Sequence, residues 1–389
     1  MFDALIKGGQ VVTSRGVRSA TIAIRNESIA DILPPDSAPP ARQVIDAEGL
    51  HVLPGLIDTH VHVRDPARPD RETFETGTSA AAAGGITTIC EMPTSDPPVN
   101  TARRLRERAA RLEPKALVDF CLYAGAGIEN LNEIDKMAAA GAIAFKTWLH
   151  SPAPGREAEF KGLSCPSMES LPEVMRAVAN TGKVHALHCE HDDVLAEAYE
   201  TAKNSSAAPG LKYASTRPIA AEDAAVRQAL DIAEQIGGRI QVVHTSSPSA
   251  VRQIVEARKN GLNATIETCP HYLRFTEETL GEYGPFAKCN PPLRSARTVE
   301  ELWKHVSNGD IDVIGTDHCP YLPEELEAGN EDIFTSPPGL PGLETMLPIL
   351  LTAVAEQRLT LPQLVTLTST RAAEIFGLTK KGRIEAGAD

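Results

Sequence analysis

The chain has 389 residues, which suits an α/β barrel of about 250 residues together with a smaller unit. Its hydrophobic residues make up 42% but form no apolar run near the ~20 residues of a membrane span, and the first residues lack a signal-peptide core, so we expect a cytoplasmic protein without a membrane partner. The net charge of −14 repels polyanions, which argues against nucleic acid as a partner.

The first fifty or so residues alternate short apolar runs with turns. The runs read ALIKGGQVVT, SATIAIRNESIADIL and RQVIDAEGLHVL, and the proline-rich PPDSAPP precedes the last one. Short runs bounded by glycine and proline are typical of strands and turns. The sequence therefore predicts a small β unit at the N-terminus, separate from the rest of the chain.

From Pro54 onward, apolar runs rich in Val, Ile and Thr alternate with stretches of helical period such as TARRLRERAARL. The eight runs are GLIDTHVHV, GITTICEM, LVDFCLYA, AIAFKTWL, KVHALHC, RIQVVHTS, NATIETC and DVIGTDH. Alternation of strands and helices predicts a parallel sheet, and the count of eight favours a closed (β/α)8 barrel over an open doubly wound sheet. The Pro-, Gly- and Ser-rich connections at 204–219 and 320–341 are predicted to be loops that cover the substrate.

Residues that can bind metal lie near the carboxyl ends of five predicted strands. His60 and His62 are two residues apart on the first strand, so their side chains leave the same face. The others, on strands 4, 5, 6 and 8, are Lys146, His188, His244 and Asp317. Barrel enzymes place their active sites at this end, and buried Lys and Asp are costly unless they are paired or metal-bound. The pattern predicts a metal site rather than polar packing.

Lys146 follows an apolar run in AIAFKTWL, where a bare ammonium beside two cations would be strongly disfavoured. Addition of CO2 to the amine would give a carbamate, whose two oxygens can bridge two metals about 3.5 to 4 Å apart. The alternative is a lysine that extends its amine into the cleft. The four surrounding histidine candidates favour the carbamate.

Seven motifs occur in one order along the chain: GLIDTHVHVRDP, ETGTSAAAAGGITTICEMP, FKTWL, LHCE, VVHTSSP, NPPLRS and GTDHCP. Together they resemble the cyclic amidohydrolases, the group that contains dihydroorotases, allantoinases and hydantoinases. The resemblance implies a TIM barrel flanked by a small β-sandwich built from both chain termini. Residues 1–53 would form the N-terminal part of the sandwich, 54–376 the metal-dependent hydrolase barrel, and 377–389 the start of the return to the sandwich. The last strands are then expected beyond Asp389.

The resemblance also implies a role for each metal-site residue. His60 and His62 would bind the more buried of two divalent cations, and His188 and His244 the more exposed one. Carboxylated Lys146 would bridge both.

Asp317 would bind a cation and act as the general base. It would take the proton of a hydroxide held between the cations and pass it to the leaving nitrogen. Histidine and carboxylate ligands suit several divalent metals, and Zn2+ is the expected one.

Arg64 governs the first prediction of a substrate. It lies two residues past His62, so it points the same way and could pair bidentately with a substrate carboxylate. The alternative is a rim salt bridge, for instance to Asp65 or Glu91. Arg64, together with Asn290 in NPPLRS, resembles the groups that hold dihydroorotate in dihydroorotase. The leading prediction is therefore hydrolysis of dihydroorotate to N-carbamoyl-aspartate, or the reverse cyclisation.

Two other expected substrate contacts, Thr94 and Tyr321, depart from the dihydroorotase pattern, which has Asn and His at these places. The segment DIFTSPPGLPGLE and the stretch YASTRP around Arg217 look more like allantoinases and hydantoinases. Ser151 argues against hydantoinase, because those enzymes usually carry Tyr five residues past the bridging lysine, and Arg64 argues against allantoinase. The alternative prediction is an allantoinase or a cyclic ureide hydrolase of the hydantoinase/dihydropyrimidinase type.

A third hypothesis is a catalytically silent scaffold with the same fold. It would predict lost ligands, whereas every expected ligand and the base are present. The partners we expect are a small cyclic amide substrate and further copies of the chain, in a homodimer or homotetramer as the family resemblance suggests.

Overall fold

The computed structural model describes residues 1–389. The strands are β1 (Phe2–Thr13), β2 (Gly16–Arg25), β3 (Ser28–Leu33), β4 (Ala41–Asp46), β5 (His51–Val52), β6 (Leu56–Val61), β7 (Ile86–Glu91), β8 (Asp119–Leu122), β9 (Ala124–Gly125), β10 (Ala144–Trp148), β11 (Val184–His188), β12 (Arg239–Val242), β13 (Asn263–Thr268) and β14 (Val313–Ile314). The α-helices are α1 (Phe74–Ala83), α2 (Ala102–Leu112), α3 (Leu131–Ala139), α4 (Leu171–Asn180), α5 (Asp192–Ala202), α6 (Pro209–Ser215), α7 (Ile219–Ile236), α8 (Pro248–Lys259), α9 (Pro270–Arg274), α10 (Glu277–Tyr283), α11 (Ala296–Asn308), α12 (Pro323–Glu327), α13 (Met346–Ala355), α14 (Leu361–Val365) and α15 (Arg371–Phe376).

The first five strands form a separate sheet in the order β3-β2-β1-β4, with β5 also paired to β1. The end of the chain returns to this sheet, because Ile29 N donates to Ala388 O at 2.7 Å and Gly387 N donates to Ile29 O at 2.8 Å. Ile384 and Ala388 pack against buried apolar residues of β1 to β3. A small N-terminal β domain beside the barrel is thus confirmed, while the boundaries 1–53, 54–376 and 377–389 stay predictions.

The strands from β6 onward are parallel and form the barrel. They pair in the orders β6-β7-β8 and β9-β10-β11-β12-β13-β14, and β8 and β9 flank Tyr123 in one barrel strand. The ring closes where Val61 pairs with His318, and His62 N donates to His318 O at 2.7 Å. Eight barrel strands result, so the predicted (β/α)8 fold is confirmed.

Alternation along the strands decides which side chains enter the barrel. On β10, Ala144 belongs to the small core inside the barrel, whereas Phe145 belongs to the larger core between strands and helices. Lys146 shares the direction of Ala144 because side chains alternate with a period of two. On β11, Ala186 faces inward by the same rule, and so does His188 at the end of the strand.

The two connections predicted as loops contain short helices, α6 in 204–219 and α12 in 320–341. The prediction missed them because a high content of proline was taken as a sign of irregular structure. Pro209 and Pro323 occupy first helical positions, where the missing N–H group costs nothing. No helix of the structure combines the length and apolar character that crossing a membrane requires.

A buried ion pair couples α2 to the barrel next to the site. Arg108 Nη2 lies 2.6 Å from Glu91 Oε1, with both side chains almost fully buried. We expect Arg108→Met to lower the free energy of unfolding by about 3 to 5 kcal/mol, because it removes the partner of a fully buried carboxyl group whose pKa burial already raises to about 8. The measurement is urea denaturation followed by tryptophan fluorescence.

Arg103→Met is the matched control on the same helix. Arg103 pairs with Glu107 at the surface, with the arginine side chain 75% exposed, so its loss should cost less than about 1 kcal/mol. Equal losses in the two variants would contradict the prediction.

Candidate metal centre and active site

The six predicted metal-site residues meet at the carboxyl-terminal mouth of the barrel. Each lies on a barrel strand or within three residues of its end: His60, His62, Lys146, His188, His244 and Asp317. Five of them line an open cavity of about 1030 Å³, and Lys146 is fully buried. The strand ends converge in this way because all eight strands run parallel.

His60 and His62 both face Asp317. The distance to Asp317 Oδ1 is 3.1 Å from His60 Nε2 and 3.3 Å from His62 Nε2. Although His60 Nε2 is this close to the carboxylate, it makes no hydrogen bond. His60 Nε2 and the Asp317 carboxylate oxygen both carry lone pairs. Two such atoms that lie close together without a hydrogen bond between them suit binding to one cation.

A second group of residues fixes the other nitrogen of each ring. Glu267 Oε1 lies 2.7 Å from His60 Nδ1, and Thr94 Oγ1 lies 2.7 Å from His62 Nδ1. These contacts leave the Nε2 atoms of both rings free to bind a metal. Partners of this kind set the tautomer and orientation of metal-binding histidines.

The opposite side of the mouth has the same arrangement. His188 Nε2 lies 2.6 Å from Glu190 Oε2, and Arg217 Nε donates to Glu190 Oε1 at 2.9 Å. The His188 ring centroid is 4.4 Å from that of His244. His244 Nδ1 is buried and has no hydrogen-bond partner.

Burial governs the protonation of these groups. It lowers the pKa of Lys146 to about 8, although the charges of Asp317 and Glu267 oppose the shift. It also lowers the pKa of His62 and His188 to about 3. Both imidazoles are therefore neutral at physiological pH, which is the form that binds metals.

Unsatisfied polar atoms give the test of a metal in this site. Lys146 Nζ, His60 Nε2 and His244 Nδ1 are all buried without a hydrogen-bond partner, although buried polar atoms in proteins almost always have one. The metal-binding atoms of His60, His244 and Asp317 lie within 4.8 Å of one another. Imidazole nitrogens with a carboxylate oxygen are a donor set for Zn2+ and related ions, so the residues fit divalent cations.

Two of the candidate ligands also have unusual backbone conformations. The φ angle is 39° at His244 and 49° at Asp317, in the left-handed region that favours glycine. Strain of this kind is concentrated at functional sites.

All four predicted substrate contacts line the cavity: Arg64, Thr94, Asn290 and Tyr321. The Thr94 hydroxyl already bonds to His62. Tyr213 Oη bonds to Asn290 Oδ1, which fixes that amide. Arg64 Nη2 donates to Cys319 Sγ at 2.7 Å and to Tyr321 Oη at 3.0 Å.

The alternative prediction for Arg64, a rim salt bridge, holds with a different partner from the two named as examples. Asp65 pairs with Lys115 at 2.5 Å and Glu91 pairs with Arg108. Arg64 Nη1 lies instead 3.9 Å from Glu159 Oε2.

Sequence reasoning missed Glu267 and Glu190. A detectable signal existed for Glu267, since a carboxylate within the apolar run NATIETC is as costly to bury as Lys146. Glu190 stands in the LHCE motif, but its role depends on Arg217, whose position the sequence alone does not give.

The chain is similar to known enzymes over its whole length. Residues 51–389 match the family described as "Amidohydrolase family". Allantoinase of Deinococcus radiodurans is 38% identical, with 100% of this chain and 85% of the relative covered. L-hydantoinase of Paenarthrobacter aurescens is 34% identical, with 100% and 84% covered. The solved L-hydantoinase (dihydropyrimidinase) from Arthrobacter aurescens superposes with a TM-score of 0.95 at 35% identity, over 100% of this chain and 86% of that one.

These matches support the group of enzymes predicted from the motifs. They do not support dihydroorotase as its closest member, since the relatives named above are an allantoinase and hydantoinases.

We expect protein purified without chelator to contain about two divalent metal ions per chain, because the ligand set is large enough for a two-metal site. Elemental analysis by mass spectrometry measures this directly. His60→Ala with His188→Ala removes one ligand from each side and serves as the control, in which the metal content should fall. A folded wild-type protein that repeatedly contains no metal would contradict the prediction.

Proposed function

Because the chain belongs to the amidohydrolase family and is a cyclic amidohydrolase, we propose that it hydrolyses a ring C–N bond of a cyclic ureide, either allantoin or a hydantoin. The observation that carries the proposal is the group of buried, unpartnered nitrogens around Asp317 at the barrel mouth. Such a group is costly unless it binds metal, and two metals suit amide hydrolysis.

The choice of ring rests on the relatives. Allantoin is a hydantoin that carries a ureido substituent, so the names allantoinase and hydantoinase share one five-membered ring. The solved relative is also named dihydropyrimidinase, after an uncharged six-membered ring, whereas none of these relatives is named after the carboxylated ring of dihydroorotate. The proposed substrate therefore replaces the leading prediction with its alternative.

In the proposed mechanism, His60 and His62 would hold one divalent cation, and His188 and His244 would hold the other. When bound, the cations supply polarisation of the ring carbonyl and a lowered pKa for water. Lys146 would join them as a carbamate, because its buried amine has no other partner. We keep Zn2+ as the expected metal.

Asp317 is the proposed general base. Its carboxylate faces His60 and His62 at the floor of the cavity, where it can take a proton from the attacking water and deliver it to the ring nitrogen that leaves. Asn290 would donate to a ring carbonyl, since its Oδ1 is taken by Tyr213 and its amide nitrogen remains. Arg64 and Tyr321 would line the ring on the other side.

Oligomeric state does not enter this proposal. A homodimer or homotetramer remains the prediction.

Lys146→Ala should lose most activity, because no other side chain supplies two bridging oxygens. Added acetate or propionate should restore part of it by occupying the vacated space. The readouts are turnover and metal content with and without the acid. Lys136→Ala, which removes a surface lysine with 59% side-chain exposure, is the control that should change neither. Full activity in Lys146→Ala would refute the bridge.

The function itself is tested by assaying the metal-loaded enzyme on allantoin, hydantoin, dihydrouracil and dihydroorotate side by side. We expect turnover of allantoin or hydantoin to exceed that of dihydroorotate by at least about tenfold, a difference of about 1.4 kcal/mol in transition-state binding. Asp317→Asn, purified in the same way, is the blank for contaminating host enzymes. Preferential hydrolysis of dihydroorotate would overturn the proposal.

A further inference from the structure

Arg64 is a buried guanidinium in the cavity that retains unused donors. Its Nη2 is occupied by Cys319 and Tyr321, whereas its Nε has no hydrogen-bond partner. Its Nη1 makes no hydrogen bond but lies 3.9 Å from Glu159 Oε2, and the side chain is 5% exposed. Because Nε is itself buried, Nη1 is the donor that remains for a group entering the cavity that Arg64 lines.

Glu159 is held in place by a second arginine. Arg156 donates to Glu159 Oε2 from Nη2 at 2.7 Å and from Nε at 3.3 Å. The Arg156 guanidinium in turn lies over the Phe160 ring, 5.2 Å from its centroid. These contacts hold the carboxylate next to Arg64 and behind Arg156 and Phe160, two residues that line the cavity.

The carboxylate is ionised. Partial burial acts to raise the pKa of Glu159, but Arg156, Arg64 and Arg71 together hold it below its ordinary value. Arg71 already has its own bidentate partner, since its Nε and Nη2 lie 2.7 and 2.6 Å from the two oxygens of Glu325. Glu159 is thus the carboxylate that offsets the positive charge of Arg64.

We propose that Glu159 is a specificity-determining residue that selects uncharged rings, by opposing any carboxylate that would otherwise bind Arg64. A neutral carbonyl can accept a hydrogen bond from Arg64 without electrostatic cost. A carboxylate at the same donors would lie within a few ångströms of the Glu159 charge, in a site partly shielded from water. Selectivity of this kind arises from a repulsive element built against the wrong ligand.

The inference rests on the proposed function, in that the ring is taken to bind in this cavity. It accounts for an arginine that the sequence suggests for carboxylate recognition, in a chain whose relatives are named for uncharged ureides. Arg64 becomes a donor to a ring carbonyl or an exocyclic amide, and Glu159 sets the charge that the ring must have.

The test compares two ligands of one shape, dihydroorotate and its carboxamide, which differ in charge. Their dissociation constants are measured by isothermal titration calorimetry on metal-loaded protein that carries Asp317→Asn to block turnover, and every further variant is made in that background. With Glu159 intact, we expect this protein to bind the carboxamide more tightly. Glu159→Gln should shift the ratio of the two constants towards the carboxylate by at least about tenfold, the lower range for charge pairs in desolvated sites.

Two further variants isolate the cause. Glu157→Gln removes the same charge two residues away, where the side chain is exposed and accepts only from Gly155 N at 3.1 Å, so the ratio should stay unchanged. Glu159→Gln combined with Arg64→Met should lose the gain, because the carboxylate then has no cation to bind.

Three results would overturn the inference: an unchanged ratio in Glu159→Gln, an equal shift in Glu157→Gln, or a gain that persists without Arg64. If Glu159→Gln fails to fold, the Asp317→Asn protein with Glu159 intact still decides, because tighter binding of the carboxylate than of the carboxamide contradicts a selecting carboxylate. Since Asp317→Asn removes the proposed general base, the calorimetric readout reports binding without turnover. Failure of the enzyme to hydrolyse any cyclic ureide would overturn the proposed function and leave this comparison intact.

Discussion

One buried carboxylate, Glu267, holds the candidate metal centre together. It is fully buried, and such a charge is stable in a barrel interior only if several donors satisfy it. Thr59 Oγ1 donates to it at 2.6 Å, His244 N at 3.2 Å and Gln241 Nε2 at 3.3 Å, and His60 Nδ1 lies 2.7 Å away. These contacts join β6, β12 and β13 beneath the cavity, and they fix the His60 ring so that its Nε2 faces Asp317.

Other candidate ligands around the barrel mouth are also held in orientation by a hydrogen-bonding partner, but the partners differ in chemistry. Thr94 gives His62 a neutral hydroxyl partner, whereas Glu190 gives His188 a carboxylate that is itself paired with Arg217. The outer partners decide which nitrogen each ring presents to the cavity. Because they are packed in the barrel or tied to neighbouring helices, the geometry is set before any ligand binds, which lowers the cost of assembling a site.

The surroundings of Arg64 in the cavity wall change the function that its residue type suggests. An arginine two residues beyond a metal-binding histidine pair suggests carboxylate recognition when it is considered alone. In the folded chain, Glu159 from the connection after β10 approaches it, and Tyr321 and Cys319 from the connection after β14 both accept hydrogen bonds from its Nη2. The chemistry of Arg64 therefore depends on three loops together, and this is the basis of the proposal that it receives neutral ligands.

The sequence by itself determined the barrel and the set of candidate ligands, because both arise from local rules. Eight apolar runs with intervening helices lead to one closed sheet, and the period of two along a strand sends Lys146 inward with Ala144. The helices α6 and α12 escaped prediction because proline begins a short helix as readily as it interrupts one.

Tertiary structure alone decided the partners of the ligands and of Arg64. His60 and Glu267 are 207 residues apart in the chain, and Arg64 and Tyr321 are 257 apart. Contacts over such separations depend on strand order, on register and on how loops from different strands meet, and no local pattern of residues encodes these.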